Sequence, residues 1–490
     1  MKLSSLLKGV KTQDVYEERD VERVTDKDNG NLKNALFICV DGNRCDGHSL
    51  AEKVLKCGAA AVVTDRDLGL SGQIIVDDTR AAYAQISANF YDNPSKKLKI
   101  IGVTGTNGKT STAFFIKEIL ASLGHSCGII GTIKNAWENT EREAVLTTPE
   151  PPELHKLLSE MVKSGCEYCV MEVSSQALSQ KRVYGIDFCA AALTNITPEH
   201  LDYHGNMENY IAAKLQLFRN SGFACVNVDD ENILNNIEKI DCKAYTYSIF
   251  KDSADYTAKN IVCNEKAIKY ELVGIDCIAR IQSEINGKFN VYNTLCAASV
   301  LINLGFDLDD IAKAIGTLDS VKGRCEIVPT DRNFTVIIDY AHTPDGLQNI
   351  LSAVRETAKG RVILVFGCGG DRDKSKRREM GRIAGELSDF AVVTSDNPRT
   401  ENPLLIINDI LFGMEKAKSG IAVIENRTQA IGFALSKARK GDTVILAGKG
   451  HENYQIIGNE KLPFDERKIV QEKINEIKIN RCCKSIGNKP

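Results

Sequence analysis

The segment KIIGVTGTNGKTST at residues 99–112 constrains the fold of this chain more than any other feature. An apolar run that ends at Val103 predicts a buried strand, and a polar turn that contains Gly105 and Gly108 follows it directly. Apolar residues then recur at helical spacing from Ile116 onward, which predicts an amphipathic helix. A strand, a glycine turn and Gly-Lys-Thr at a helix start are typical of a site that holds a nucleoside triphosphate.

In such a site the N–H groups of the turn and of the helix N-terminus face the phosphates. We expect Lys109 to reach the terminal phosphates and the hydroxyl of Thr110 to meet magnesium. The spacing departs from the standard phosphate loop, because Val103 occupies the place of the usual first glycine. A solvated turn that contains a lysine is the alternative interpretation.

Composition excludes several classes of function. The chain has 62 Lys and Arg against 65 Asp and Glu, so it offers no general basic surface for nucleic acid. No apolar run approaches the roughly 18 residues of a membrane span, and no signal peptide is visible. We therefore expect a cytoplasmic protein with neither nucleic-acid nor membrane partners. Its 16 cysteines lie mostly in apolar runs, which favours buried thiols over disulfides or metal ligands.

Short apolar strands alternate with helical stretches through the whole length of 490 residues, which is enough for about three domains. Many of these strands end in polar clusters, such as DYAHTPDG and TSDNPRTENP in the last third. This pattern predicts an α/β fold with mostly parallel sheets, in which ligands gather beyond the carboxyl ends of the strands.

One charged residue interrupts an apolar strand. Glu172 lies near the end of the run at 168–173, and a charge in that position normally needs a partner. Because magnesium prefers oxygen ligands, Glu172 is a candidate ligand, and an exposed glutamate of an edge strand is the alternative. His200 and His204 share one polar strand end. Each could be a metal ligand or a structural histidine.

The polar strand ends of the last third carry both charge signs. Arg372 lies in one of them, and the sequence Asp-Asn-Pro-Arg at 396–399 lies in another. An arginine can bind a carboxylate through two hydrogen bonds, whereas an Asp-Asn pair accepts from and donates to an ammonium group. Both ends of an amino acid could therefore be bound here; a solvated charge run is the alternative.

A set of segments together resembles the Mur ligases of peptidoglycan synthesis. In chain order they are GTNGKTST, LTTPE, MEVSSQALSQKR, TNITPEHLDYHG, YIAAKLQLF, GKFNVYN, DYAHTPDGL, GCGGDRD, DNPRTENP and AGKGHENYQ. The resemblance implies three domains: a small α/β domain for the UDP end of the substrate at 1–95, a central P-loop ATPase-like domain at 96–327, and a Rossmann-like domain for the amino acid at 328–490. The sequence departs from the family pattern in the first domain, where Lys27-Asp28-Asn29 replaces an Asp-Ser-Arg that is common in the family.

The resemblance also assigns residues to ATP and Mg²⁺. The ATP positions are Gly105, Thr106, Asn107, Gly108, Lys109, Thr110, Ser111, Asn290, Asn293, Arg324 and Asp339. The metal positions are Thr110, Glu172, His200 and Lys214, the last as a carbamate. Lys109, Glu172, His200 and Lys214 would be the catalytic residues. The local pattern alone predicts an ordinary surface lysine at position 214.

Two further sets of positions match the substrate sites of the family. The positions for a UDP-muramoyl dipeptide are Thr147, Thr148, Ser174, Gln180 and Arg182. The positions for meso-diaminopimelate are Arg372, Asp396, Asn397, Arg399, Gly448 and Glu452. Arg399 could discriminate against L-lysine, which lacks the second carboxylate of diaminopimelate.

The resemblance implies a monomeric, ATP- and magnesium-dependent ligase that adds meso-2,6-diaminopimelate to UDP-N-acetylmuramoyl-L-alanyl-D-glutamate through an acyl phosphate. The same reaction with L-lysine is the nearest alternative. A ligase of the folate polyglutamate or cyanophycin type is more distant. A module that binds nucleotides or cell-wall precursors without joining them is an alternative of a different class.

Overall fold

The computed structural model describes residues 1–13, 16–42, 46–264 and 267–486. The chain divides into two compact units. Unit 1 comprises Met1–Ile196, Tyr203–Tyr247 and Cys296–Phe306, and unit 2 comprises Thr197–Asp202, Ser248–Leu295 and Asp307–Pro490. The three domain ranges expected from the sequence stay a prediction. Among the described residues, no helix combines the length and the apolar character that a membrane crossing needs.

The first part of unit 1 contains a four-stranded parallel sheet in the order β1-β2-β3-β4. Its strands are β1 (Arg23–Thr25), β2 (Ala35–Ile38), β3 (Ala61–Thr64) and β4 (Gln73–Ile75). Its α-helices are α1 (Leu3–Leu6), α2 (Ala51–Lys56) and α3 (Thr79–Phe90). The predicted strand, helix and strand that start near residue 35 are confirmed.

The larger sheet of unit 1 has the strand order β12-β11-β10-β5-β9-β6-β7-β8. Its strands are β5 (Lys99–Thr104), β6 (Cys127–Ile130), β7 (Lys134–Trp137), β8 (Thr140–Glu143), β9 (Tyr168–Glu172), β10 (Ala190–Leu193), β11 (Phe223–Asn227) and β12 (Lys243–Ser248). The helices in this part of the chain are α4 (Lys109–Ser122), α5 (Pro151–Lys163), α6 (Ser175–Ser179), α7 (Leu201–His204), α8 (Met207–Leu215) and α9 (Glu231–Leu234). The pairs from β12 to β6 are parallel, as predicted, whereas β6, β7 and β8 pair antiparallel.

The segment of unit 2 from Ser248 to Leu295 contains strands that the sequence analysis did not predict. The strands β13 (Tyr256–Cys263), β14 (Ile268–Gly274) and β15 (Cys277–Ser283) pair antiparallel. Two helices follow in the chain, α10 (Lys288–Asn303) and α11 (Leu308–Gly316).

The remainder of unit 2 is a six-stranded sheet in the order β16-β17-β21-β18-β19-β20. Its strands are β16 (Glu326–Val328), β17 (Thr335–Asp339), β18 (Val362–Phe366), β19 (Phe390–Val393), β20 (Gly420–Val423) and β21 (Thr443–Ala447), and a separate hairpin is formed by β22 (Tyr454–Ile457) and β23 (Glu460–Pro463). Its helices are α12 (Pro344–Thr357), α13 (Ser375–Leu387), α14 (Pro403–Gly413), α15 (Arg427–Lys437) and α16 (Glu466–Ile486). Only β16 is antiparallel to its neighbour.

Both faces of this sheet are covered. Ile337 and Leu364 belong to the core that contains residues of α12, α13 and α14. Their chain neighbours Val336 and Ile363 belong to the core that contains residues of α15 and α16. Burial on both faces explains the continuous apolar runs, and parallel pairing brings the polar ends of β17, β21, β18 and β19 to one edge.

Helices α13 and α14 approach each other through glycines. A Cβ at Gly381 would lie 2.1 Å from the carbonyl oxygen of Ile410, and one at Gly413 would lie 1.9 Å from that of Arg378. Neither position has room for a side chain, because the obstructing atoms belong to backbone.

We predict that Gly381→Ala lowers the free energy of unfolding by about 1–3 kcal/mol, because the added methyl must push α14 away. Gly432→Ala is the matched control in α15, since its new Cβ would meet only the flexible side chain of Lys473, at 3.1 Å. Urea unfolding of both variants measures the difference. Equal stability of the two variants would contradict this account of the α13–α14 contact.

Candidate functional site

The turn between β5 and α4 has the geometry of a phosphate loop. Gly108 precedes the first residue of α4 and has a φ of 82°. Gly105 has a φ of 147°, and a Cβ there would lie 1.9 Å from the Oγ1 atom of Thr194. Only glycine fits at position 105, so the strand, glycine turn and helix predicted from the sequence are confirmed as structure.

The loop is held in place by a neighbouring strand end. The backbone N–H of Thr106 donates to the carbonyl oxygen of Asn195 at 2.8 Å, and that of Asn107 donates to the Asn195 side-chain oxygen at 2.8 Å. The ammonium group of Lys109 donates to the carbonyl oxygens of Gly105 at 2.8 Å and Thr106 at 2.7 Å. Lys109 therefore lies against the loop itself, and its contact with a triphosphate stays a prediction. Thr110 and Ser111 are buried in the first turn of α4.

Glu172 is fully buried at the end of β9, so the exposed-glutamate alternative is wrong. Its Oε2 atom accepts from the hydroxyls of Thr110 and Thr132, both at 2.9 Å, and its Oε1 atom accepts from the Thr132 N–H at 2.8 Å. A Cβ at Gly131 would lie 2.2 Å from Oε1, so a glycine is needed beside the carboxylate. The structure thus joins Thr110 and Glu172, two of the predicted metal ligands.

Lys214 is 2% exposed, so the surface lysine indicated by the local pattern is wrong. Its ammonium group donates to the Gly105 carbonyl oxygen at 2.8 Å and lies 4.6 Å from the centre of the Tyr210 ring. The Tyr210 hydroxyl lies 3.0 Å from the hydroxyl of Thr106. The structure therefore brings Lys214 to the phosphate loop, although its carbamylation stays a prediction.

The two candidate histidines differ in their surroundings. His204 is buried, and its Nε2 atom lies 3.0 Å from the hydroxyl of Ser175. His200 belongs to unit 2, where its Nε2 atom lies 3.7 Å from a carboxylate oxygen of Glu199. Its predicted role as a metal ligand stays a prediction. The described residues contain no group of three or more His, Cys, Asp and Glu that could hold a metal ion.

The positions predicted for the dipeptide form one hydrogen-bonded group in unit 1. The Thr148 hydroxyl donates to the Glu172 carbonyl oxygen at 2.9 Å and accepts from the Ser174 N–H at 3.0 Å. Arg182 donates to the Thr148 carbonyl oxygen at 2.8 Å and to the Gln180 side-chain oxygen at 2.6 Å. Burial lowers the pKa of Arg182. Thr147 connects to the same group, because its hydroxyl lies 3.1 Å from that of Thr132.

The remaining predicted nucleotide contacts lie in unit 2. The Asn293 side chain donates to the Asn290 side-chain oxygen at 3.0 Å. Asp339 accepts from the N–H groups of Cys325 and Ala341, both at 2.7 Å, and burial raises the pKa of its carboxyl group. The Arg324 guanidinium lies 4.6 Å from the centre of the Tyr340 ring. The contact of these residues with a nucleotide stays a prediction.

The strand ends of β19 and β21 bring together most of the predicted amino-acid site. The Asn397 side chain donates to the Oε2 atom of Glu452 at 3.0 Å. A Cβ at Gly448 would lie 2.6 Å from the Oδ2 atom of Asp396. That oxygen is buried and has no hydrogen-bond partner among the described residues. It is therefore an acceptor suited to a ligand's ammonium group.

Two arginines border the same loops. Arg399 donates to the carbonyl oxygen of Gly370 at 2.7 Å. A Cβ at Gly369 would lie 3.0 Å from an Nη atom of Arg399 and 3.9 Å from the Cγ atom of Arg372, so both arginines flank this glycine. Burial and the charge of Arg399 lower the pKa of Arg372. Two nearby cations make this place attractive to a carboxylate.

The sequence analysis missed several residues of these sites. Thr132, Tyr210 and Asn195 support the phosphate loop and Glu172, and Lys449 lies under the amino-acid site. Thr132 had a detectable signal, since it follows the apolar run CGII and a glycine. Lys449 had the same kind of signal, since it follows the apolar run VILA and Gly448.

Comparisons with known proteins agree with this geometry. Residues 103–301 match the family described as the Mur ligase middle domain, and residues 323–450 match the Mur ligase glutamate ligase domain. A relative from Clostridium acetobutylicum, named UDP-N-acetylmuramoyl-L-alanyl-D-glutamate–2,6-diaminopimelate ligase 1, is 43% identical over 97% of this chain and 100% of its own length.

Solved structures show the same fold. One described as a UDP-N-acetylmuramoyl-L-alanyl-D-glutamate–2,6-diaminopimelate ligase superposes with a TM-score of 0.65 at 31% identity, covering 91% of this chain and 92% of the other. A MurF ligase from Thermotoga maritima in complex with ADP has a TM-score of 0.61 at 18% identity, and the match covers 93% of this chain and 96% of the other.

The loop that carries Arg372 is fixed by an ion pair. Arg377 is buried in α13 and donates to Glu401 at 2.9 Å and to Asp409 at 2.9 Å. Glu401 in turn accepts from the N–H of Asp371 at 2.6 Å. The hydrogen bond from Arg377 lowers the pKa of Glu401 to about 2.

We predict that Glu401→Gln destabilises the protein at neutral pH by a margin that shrinks in acid. A carboxyl group whose pKa falls on folding stabilises the folded state above its ordinary value of 4.5, and this contribution is lost as the pH falls toward about 2. Urea midpoints of the wild type and the variant across this range measure the margin. The exposed Glu415→Gln is the control, and a margin independent of pH would refute the assignment.

Proposed function

This chain is a member of the Mur ligase family, and from that premise we propose that it joins meso-2,6-diaminopimelate to UDP-N-acetylmuramoyl-L-alanyl-D-glutamate with the hydrolysis of ATP. The choice of amino acid rests on the residues found at the ends of β19 and β21. The site there combines a buried, unpartnered oxygen of Asp396 with two arginines, Arg372 and Arg399. Opposite charges at these places match the ammonium and carboxylate of the second amino-acid head of diaminopimelate, whose carboxylate L-lysine lacks.

The reaction takes place in two steps. The side-chain carboxylate of the D-glutamyl residue attacks the γ-phosphorus of ATP, and ADP leaves, so that an acyl phosphate forms. The amine of diaminopimelate, having lost its proton, then attacks the acyl carbon and inorganic phosphate leaves. Lys109 and the N–H groups of the loop bind the phosphates of ATP, where they offset the charge that develops during transfer.

The residues around the phosphate loop fit a magnesium ion. Hydroxyl and carboxylate oxygens of Thr110 and Glu172 lie 2.9 Å apart, and such oxygens are the ligands that magnesium prefers. A carbamate on Lys214 is the further ligand of unit 1 that we assign. Bound there, Mg²⁺ would supply positive charge that offsets the charge of the phosphates.

We assign the dipeptide substrate to the hydrogen-bonded group formed by Thr147, Thr148, Ser174, Gln180 and Arg182. Arg182 supports this assignment, because a largely buried guanidinium paired with Glu150 at 2.8 Å could exchange that partner for a substrate carboxylate. We place the reaction in the cytoplasm of a bacterial cell, since ATP and UDP-linked precursors are both found there. We also propose that the enzyme acts as a monomer.

L-Lysine is the competing amino acid. Its side chain ends in an amine without a carboxylate, so it would leave Arg372 and Arg399 without an anionic partner. Two neighbouring cations left without an anionic partner penalise such a ligand. The amino-acid site therefore favours diaminopimelate.

The test is product formation from ATP, the UDP-muramoyl dipeptide and either meso-diaminopimelate or L-lysine, measured by mass. We expect phosphate release that requires both cosubstrates and a tripeptide product that contains diaminopimelate. A predominant lysine product would overturn the choice of amino acid. Binding of ligands without any turnover would instead indicate a non-catalytic module.

We predict that Arg399→Ala raises the KM for meso-diaminopimelate roughly 100-fold, because a charge-assisted contact with its carboxylate is lost. The KM for ATP should stay unchanged. An exposed arginine, Arg439→Ala, is the matched control. Equal losses for both substrates would show that Arg399 supports the fold rather than the amino-acid site.

We predict that Glu172→Gln lowers phosphate release by roughly 100-fold or more and raises the magnesium concentration needed for half-maximal rate. The amide keeps the size of the side chain but loses the negative charge. Glu167→Gln, an exposed glutamate just before β9, should leave both quantities unchanged. An unaltered magnesium dependence in a folded Glu172→Gln enzyme would exclude Glu172 from the metal site.

A further inference from the structure

Lys449 is a fully buried lysine to which neither the resemblance nor the proposed reaction gives a role. Its ammonium group donates to the side-chain oxygen of Asn397 at 2.7 Å and to the Oε2 atom of Glu452 at 2.7 Å. It also lies 5.3 Å from the centre of the Tyr454 ring. Burying a charge is costly, so a buried lysine with two such partners constrains both of them.

The first partner is fixed in orientation. The Asn397 side-chain oxygen accepts from Lys449 and also from the N–H of Ile456 at 2.9 Å. An amide oxygen has two lone pairs, and both are used. Rotating the amide by half a turn would set its NH₂ group against two donors, so the NH₂ group must face the other way.

The second partner is fixed by the same contacts. The Oε2 atom of Glu452 accepts from Lys449 and from the Asn397 NH₂ group at 3.0 Å. These bonds leave Oε1 of Glu452 and one N–H of Asn397 for a ligand. The first is an acceptor for an ammonium group, and the second is a donor for a carboxylate.

We propose that Lys449 is a positioning residue that orients Asn397 and Glu452, so that the site accepts the ammonium and carboxylate of one amino-acid head in a single arrangement. This inference rests on the proposed function. It adds a residue that determines which stereoisomer of diaminopimelate the enzyme prefers. The meso compound has one D and one L centre, whereas the LL isomer presents its two groups in mirror-image order at one end. A mobile Asn397 amide could serve either arrangement, and a fixed one serves only one.

The experiment compares meso- and LL-diaminopimelate as substrates of the full-length enzyme. In Lys449→Met we expect the KM for meso-diaminopimelate to rise about tenfold or more, because Asn397 loses one of the two donors that fix its orientation and Glu452 loses its cation. The preference for the meso over the LL isomer in kcat/KM should fall by a similar factor. The KM for ATP should not change. Lys449→Arg, which keeps the charge, should recover part of the preference.

Lys437→Met, an exposed lysine at the end of α15, is the matched control and should behave as the wild type. A folded Lys449→Met enzyme with unchanged isomer preference would overturn the proposal. If Lys449→Met does not fold, Lys449→Gln, which retains a donor without charge, takes its place. If neither neutral variant folds, Lys449 serves the fold and the proposal fails. Absence of any tripeptide product from the wild type would instead refute the proposed function.

Discussion

The buried carboxylate of Glu172 joins three elements of unit 1. It lies at the end of β9, accepts from Thr110 in the first turn of α4, and accepts twice from Thr132 after β6. A carboxylate removed from water is stable only if donors replace its hydration. The Gly-Thr sequence after β6 and the Gly-Lys-Thr sequence after β5 therefore both provide donors to this one carboxylate, which fixes the first turn of α4 against β9.

In unit 2, a buried ion pair fixes the end of a strand, as Glu172 does in unit 1. Arg427, at the start of α15, donates to Glu466, at the start of α16, at 2.8 Å, and both side chains are almost wholly buried. Arg427 also donates to the carbonyl oxygen of Ala447 at 2.8 Å, directly before Gly448. Such a pair adds little net stability, yet removing one partner leaves a buried charge. It thus fixes the end of β21 against two helices, on the side of the sheet where α15 and α16 pack.

The sequence predicts the parallel sheets well, because strands covered on both faces need continuous apolar runs such as VILVF in β18. The antiparallel strands were missed for two different reasons. In β14, Ile268, Tyr270 and Leu272 are buried and Lys269 between them is exposed, so a period-two signal was present but was not used. In β8 the sequence TERE has no apolar residue, and its pairing with β7 depends on contacts that composition does not reveal.

Site residues were predictable where a polar group interrupts an apolar strand or follows a glycine, as Glu172 and Lys109 do. Lys214 has no such local sign, because its helical surroundings indicate solvent. Lys449 follows Gly448 at the end of an apolar strand, so it had a sign that was not used. Lys214 is buried because its partner, the carbonyl oxygen of Gly105, lies 109 positions earlier in the chain. Lys449 is buried because Asn397, 52 positions earlier, and Glu452, three positions later, provide acceptors. A lysine side chain is removed from solvent only when the tertiary fold provides acceptors for its ammonium group. The local sequence pattern therefore does not show that a lysine is buried, whereas the assembled sheet edges do.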